Sequence, residues 1–183
     1  MQRFIEKPGL PERGVKTVVM SDIYPALTQA IAMRGLNILN IKKDDSLPNP
    51  IAHHADLQLL HLGGENFIVS SKCSALKNDI LNINENAQVH LLNSNLGNHY
   101  PEDIALNFLI AHNFCIGRTD YASQLLLDAL DKMNIYPIQC NQGYARCSVA
   151  LINEEAAITA DILINRILLK LGYDAVSYTH LVM

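Results

Sequence analysis

The apolar positions of this chain change their period in a recurring order. Short runs of β-branched and aliphatic residues predict strands, and stretches with apolar residues three and four apart predict helices. "VKTVVMSD" opens with such a run, after which Asp22 offers an N-cap and Pro25 stands in the first helical turn. "ALTQAIAMRG" has helical spacing and stops at Gly35, and "LNILNI" predicts a strand. Beyond the linker "SLPNP", two apolar runs flank a Gly-Gly turn in "LQLLHL-GGEN-FIVSS", which predicts a hairpin. A helix in "CSALKNDILNI" and a strand in "QVHLLNS" follow.

The same order then recurs. "IALNFLI-AHN-FCIGR" predicts a second hairpin, and Asp120 is placed to cap "YASQLLLDALDKM", where Leu126, Ala129, Leu130 and Met133 share a face. "IYPIQC" is the next strand. A third hairpin, "CSVALI-NEE-AAITA", leads to Asp161 as a cap, to the helix "ILINRILLKLG" closed by Gly172, and to the strand "YDAVSY". The hairpins recur roughly every 45 residues, within the range of repeat and propeller architectures. Each unit reads β-β-α-β, and its nearly continuous apolar strands need cover on both faces. One such unit cannot bury its own face, so copies must pack around a shared centre. The predicted fold is therefore α/β, a propeller of ββαβ units, with three full units after a β-α-β partial one. An open doubly wound sheet explains the alternating helices but not three hairpins in step with them. An arc left open exposes a sheet edge, which favours oligomers.

Composition narrows the function classes. Hydrophobic residues make up 49% and charged residues 17%, so much of the chain must be buried or at interfaces. The net charge is −4 and the Lys and Arg residues are scattered, which leaves no footprint for nucleic acid or an anionic membrane. No apolar run has the length of a membrane span. "MQRFIEKPGLPERG" puts charges and prolines where a signal peptide has its apolar core, so a cytoplasmic protein is expected. Cys73, Cys115, Cys140 and Cys147 form no C-x-x-C pair and no zinc spacing, and in a reducing compartment they are expected as free thiols. A Cys140–Cys147 disulfide across the turn at Gly143 is the alternative.

Few residues suggest chemistry. Cys147 follows a glycine turn and is expected to begin a strand, where it is either a small buried residue or a nucleophile. Arg146 would depress its pKa only if both side chains faced one space, and neighbours in a strand do not. His54 and Asp56, two apart in a strand, would point to one side, as an acid/base pair or as caps of the linker. His61, five residues after Asp56, falls on the opposite face, so no three-ligand metal set is expected among His53, His54, Asp56 and His61. Asp103 in "YPED" either binds a cation or simply starts a strand after Pro101. Cys73 and Cys115 read as packing residues. Phosphate-binding and dinucleotide glycine fingerprints are absent, and no cofactor is expected.

Taken together, "HHADLQLLHLGGENFIVSS", "YPEDIALNFLIAHNFCIG" and "NQGYARCSVALINEEAAITAD" resemble motifs of an uncharacterised bacterial family with the pentein fold, the α/β propeller of the guanidine-modifying enzymes. Those enzymes include arginine and agmatine deiminases, dimethylarginine hydrolases and amidinotransferases. The resemblance implies one domain over 1–176, about four of five units, with 177–183, "SYTHLVM", a tail unlike the family and the chain ended short. It implies a His followed by an Asp at a strand start in the active site, matched by His54 and Asp56. By the same likeness, Cys147 is the candidate nucleophile of a hydrolase or transferase acting on a guanidino or amidino compound, with Asp56, Asp103 and Arg146 holding the small-molecule substrate. The characterised deiminases carry their cysteine nearer the C-terminus than Cys147, so the two need not correspond. A non-catalytic binding or assembly module of the same fold is the alternative.

Overall fold

The computed structural model describes residues 3–21, 23–93, 97 and 99–178. Its elements fall into four successive units. The first is β1 (Thr17–Ser21), α1 (Pro25–Ala32) and β2 (Asn37–Ile41), with β1 and β2 parallel. The second begins with a single-turn helix, α2 (Ala55–Gln58), then β3 (Leu59–Gly63), β4 (Asn66–Ser70), α3 (Ser74–Ile83) and β5 (Gln88–Leu92). The third holds β6 (Leu109–Ala111), β7 (Phe114–Gly117), α4 (Gln124–Lys132) and β8 (Tyr136–Gln139). The fourth holds β9 (Val149–Leu151), β10 (Ala156–Thr159), α5 (Ile162–Lys170) and β11 (Asp174–Ser177). In each of the last three units an antiparallel hairpin is followed by a helix that returns the chain to a parallel strand. The β-β-α-β order anticipated from the apolar periods is the order observed.

The core shows how the units add. Ile80 and Leu76 of α3 pack with Ile41 of the first unit. Leu126 and Leu130 of α4 pack with Leu60, Leu62 and Ile68 of the second, and Ile164 and Leu168 of α5 with Leu109 and Ile116 of the third. Helices α3, α4 and α5 thus each cover their own strands and those of the unit before, as units that cannot bury a face alone require. Helix α1 buries no residue and leaves Tyr24 and Leu27 exposed.

Several boundaries differ from the sequence reading. Asp120 does not cap α4. Its carboxylate is gripped by Arg118 at 2.7 and 2.9 Å and by Gln139 at 2.9 Å, and Ser123 accepts from Leu126 N instead. Asp161 does cap α5, accepting from Leu163 N and Ile164 N. Asp22, offered as the cap of α1, lies outside the described residues, and Tyr24 holds the cap position. The strand expected in "YDAVSY" is present as β11, which includes Ser177, and Tyr178 N donates to Thr159 O; 179–183 lie outside the described residues. The segment 104–108 is no strand but a tight turn whose Ile104, Leu106 and Phe108 are buried.

The N-terminal segment straps the units together. Gly64 N donates to Ile5 O, and Lys7 pairs with Glu154 at 2.5 Å. Gly63 has φ +117°, and a Cβ there would lie 2.6 Å from Glu6 O, so only glycine lets the strap lie down. No helix among the described residues is long and apolar enough to cross a membrane.

Candidate active site

All four units reach one cavity of about 520 Å³, lined by Val19 of β1, by Asp56, Leu59 and His61 of the second unit, by Leu109 of β6, and by Arg146, Cys147, Val149 and Leu151 of the fourth. Strands β3 and β9 run from the end holding Asp56 and Cys147 to the end closed by Pro8 and Gly9 of the strap.

Asp56 lies in the first turn of α2, with His54 at its N-cap position. Leu57 and Gln58 are fully buried on the same turn, and Gln58 Nε2 donates to Ala52 O at 2.9 Å and Lys42 O at 3.2 Å. Those contacts fix α2, and therefore Asp56, from the side away from the cavity. His54 Nδ1 is 3.9 Å from Asp56 Oδ1. The neighbouring His53 faces elsewhere, 3.3 Å from Ser21 Oγ.

Cys147 sits in a turn over 145–148 rather than in the strand expected for it. Ala145 is fully buried, Ser148 N and Oγ both donate to Tyr144 O, and a Cβ at Gly143 would lie 2.4 Å from the Tyr100 ring, so the turn packs down tightly. In a turn, consecutive side chains are not forced to opposite faces, and Arg146 and Cys147 both line the cavity. The strand-based expectation for the pair is corrected on that ground. So is that for His61: because α2 interrupts the strand, His61 and Asp56 line the same cavity. His61 stacks on Phe67 with ring centroids 4.3 Å apart, burial lowers its pKa to about 4, and its Nε2 donates to Gly64 O.

Asn107, which the sequence reading passed over, joins the parts. It is 1% exposed and its Oδ1 accepts from Arg146 N at 2.9 Å. That bond turns its amide nitrogen toward the site, where Nδ2 donates to Asp56 Oδ2 and, at 3.1 Å, to Cys147 Sγ. The thiol in turn donates to Asp56 Oδ2. The available signal was one amide inside the apolar run "IALNFLI". Burial, then the charge and hydrogen bond of Asp56, push the Cys147 thiol up to about 12, against smaller opposing effects from Asn107 and Arg146. The thiol is therefore protonated at neutral pH.

Asn107→Ala removes both donors and leaves Arg146 N without its acceptor, at a cost of about 1–3 kcal/mol for an orphaned buried N–H. Its expected signature is a loss of Cys147's selectivity for a cationic over a neutral alkylating reagent, larger than any change in the other cysteines. Peptide mass spectrometry after labelling reads this directly.

The structure does not bring Asp103 to this group. Its carboxylate is buried, accepts from Tyr144 OH at 2.8 Å, and supports the Cys147 turn from beneath. All four cysteines are free, and Cys115 and Cys140 are buried. His54, Asp56 and Cys147 present donor atoms all within 4.8 Å of one another, a set able to share a metal ion. Only two of its members, His54 and Asp56, come from the segment weighed in the sequence; Cys147, remote in sequence, supplies the third donor.

Three ββαβ units and a βαβ unit contributing to one cavity define the pentein type of α/β architecture, and solved structures agree. SxtG, an amidinotransferase from Microseira wollei in the saxitoxin biosynthetic pathway, superposes with a TM-score of 0.54 at 10% identity, over 90% of this chain and 61% of that one. A Cys-to-Ser mutant of DDAH from Pseudomonas aeruginosa complexed with citrulline gives 0.52 at 13% identity, over 95% and 68%. This chain thus spans about three-fifths of the length of the amidinotransferase. The family model described as "Family of unknown function (DUF6873)" matches residues 18–180, and the chain belongs to that family. No curated protein matches it.

Proposed function

We propose that this protein is a hydrolase or transferase that acts on a guanidino or amidino compound through Cys147. The observation that carries the reading is the convergence of Cys147 Sγ, the Asp56 carboxylate and the His54 imidazole at one end of the central cavity. A planar cation that pairs with Asp56 takes the acceptor now used by the thiol and offsets the charge that holds its proton. The Cys147 thiol gives its proton to His54, and the resulting thiolate attacks the central carbon of the guanidinium. The bond to the leaving amine breaks, with His54 supplying its proton, and a thiouronium remains on sulfur. Water, deprotonated by His54, or a second amine then attacks that carbon and releases the thiol. Arg146 is placed to hold a carboxylate on the same substrate, and the apolar wall of Val19, Leu59, Leu109 and Val149 suits an aliphatic spacer. Asp103 acts in this reading through Tyr144 and the turn rather than on the cation. A cytoplasmic setting would keep Cys147 reduced. The likeness to an amidinotransferase and to a protein complexed with citrulline agrees in chemical class.

The test is competitive labelling of the native protein with chloroacetamidine against iodoacetamide, each cysteine read by mass spectrometry across pH. Selective amidine labelling of Cys147, lost in His54→Ala, is the expected result. Uniform labelling, or none at Cys147 before unfolding, would mark a non-catalytic module.

A further inference from the structure

A second cavity, of about 430 Å³, shares no residue with the first. It lies where β2 ends and α3 begins, with Ile41, Ala75 and Leu76 as its apolar floor. Asp44 lines it, and its side chain is only 2% exposed. Oδ1 accepts from Ser46 N at 2.9 Å and from Ser46 Oγ at 2.5 Å. Oδ2 is buried and has no hydrogen-bond partner among the described residues. The nearest cation, Lys72 Nζ, stands 3.9 Å from Oδ1, beyond hydrogen-bond range. A buried carboxylate so poorly compensated is costly unless something else brings a donor.

The rim says what kind of donor. Lys42, Lys43 and Lys72 face Asp44, Asp45 and Asp79 around the cavity, so neither sign of charge prevails. Lys43 is already paired with Asp45 at 2.9 Å, which leaves Lys42 and Lys72 without a carboxylate at hydrogen-bond distance among the described residues. A bare cation would meet the lysines and a bare anion would meet Asp44. Helix α3 also starts here, and Cys73 at its cap position makes no side-chain capping bond. The first-turn residues Ala75 and Leu76 line the cavity, on the end of a helix that favours negative charge.

We propose that this cavity binds a small zwitterion, a free α-amino acid, with its ammonium on Asp44 and its carboxylate between Lys72, Lys42 and the start of α3. The site is independent of the reaction assigned to Cys147.

Cys73 lines the cavity and reports on it locally. The experiment measures the iodoacetamide labelling rate of each cysteine in the intact protein while L-alanine is titrated in. Amine and carboxylate halves (methylammonium and acetate) serve as controls. At ten times the dissociation constant the unoccupied fraction, and with it the Cys73 rate, falls about tenfold, while the Cys147 rate stays constant. Asp44→Asn and Lys72→Met are both expected to abolish protection; Lys72 is on the surface, so its variant decides the matter should the first fail to fold. No protection of Cys73 by alanine, equal protection by acetate alone, or protection that survives Lys72→Met would each overturn the proposal.

Discussion

Replacing Asp56 by Asn is expected to drive two labelling rates of Cys147 in opposite directions. The first cause of the thiol's raised pKa is burial, which the substitution leaves in place. The second and third are the charge of Asp56 and the bond it accepts from the thiol, and the charge disappears. The pKa therefore falls from about 12 part of the way toward that of an ordinary thiol. Each unit of that fall gives about tenfold more thiolate at a fixed pH below it. Iodoacetamide is neutral, has no use for Asp56, and should label Cys147 faster near pH 8 in the variant, by about tenfold for each unit that the pKa falls. Chloroacetamidine is a cation recruited by the carboxylate and should label more slowly, because its binding is lost. In the unaltered protein the iodoacetamide rate should keep climbing beyond pH 10 without the plateau of a thiol of ordinary pKa. A mere folding defect would move both reagents together. Parallel changes in the two rates would mean that Asp56 does not govern this thiol.

The largest stability effect is expected at Phe108. The ring is 1% exposed within the cluster that joins the second and third units. It lies so close to Gly117 that a Cβ there would be 2.6 Å from Cδ1. Phe108→Ala removes the ring and leaves a cavity that the flanking strands cannot collapse into, at a cost of about 3–5 kcal/mol. For a chain of this size that lowers Tm by roughly 6–20 °C. Gly117→Ala inserts a methyl group where there is no space and should cost about 1–3 kcal/mol. Thermal melts of both variants decide the point: a Tm within a degree or two of the parent for Phe108→Ala would mean that the units are held by other contacts. Phe108 is next to Asn107, so the same turn that closes the core also carries the residue bridging Asp56 and Cys147.

The amino-acid order by itself determined the repeat. Hairpin, helix and parallel strand are local consequences of apolar period, of Gly63 and Gly64 at a turn, and of Asp161 at a helix start, and each was legible there. The stacking of units was legible as a need, since strands apolar on both faces must be covered. Tertiary structure decided the rest. Cys147 and Asp56 stand 91 residues apart, and only the convergence of the second and fourth units on one cavity brings them into contact. Ile104, Leu106 and Phe108 have strand-like apolarity yet form a turn, because burial against neighbouring units rewards them without strand pairing. That turn aims Asn107 at the site. A period of two or of 3.6 records which residues must leave water, not which partners they meet when they do.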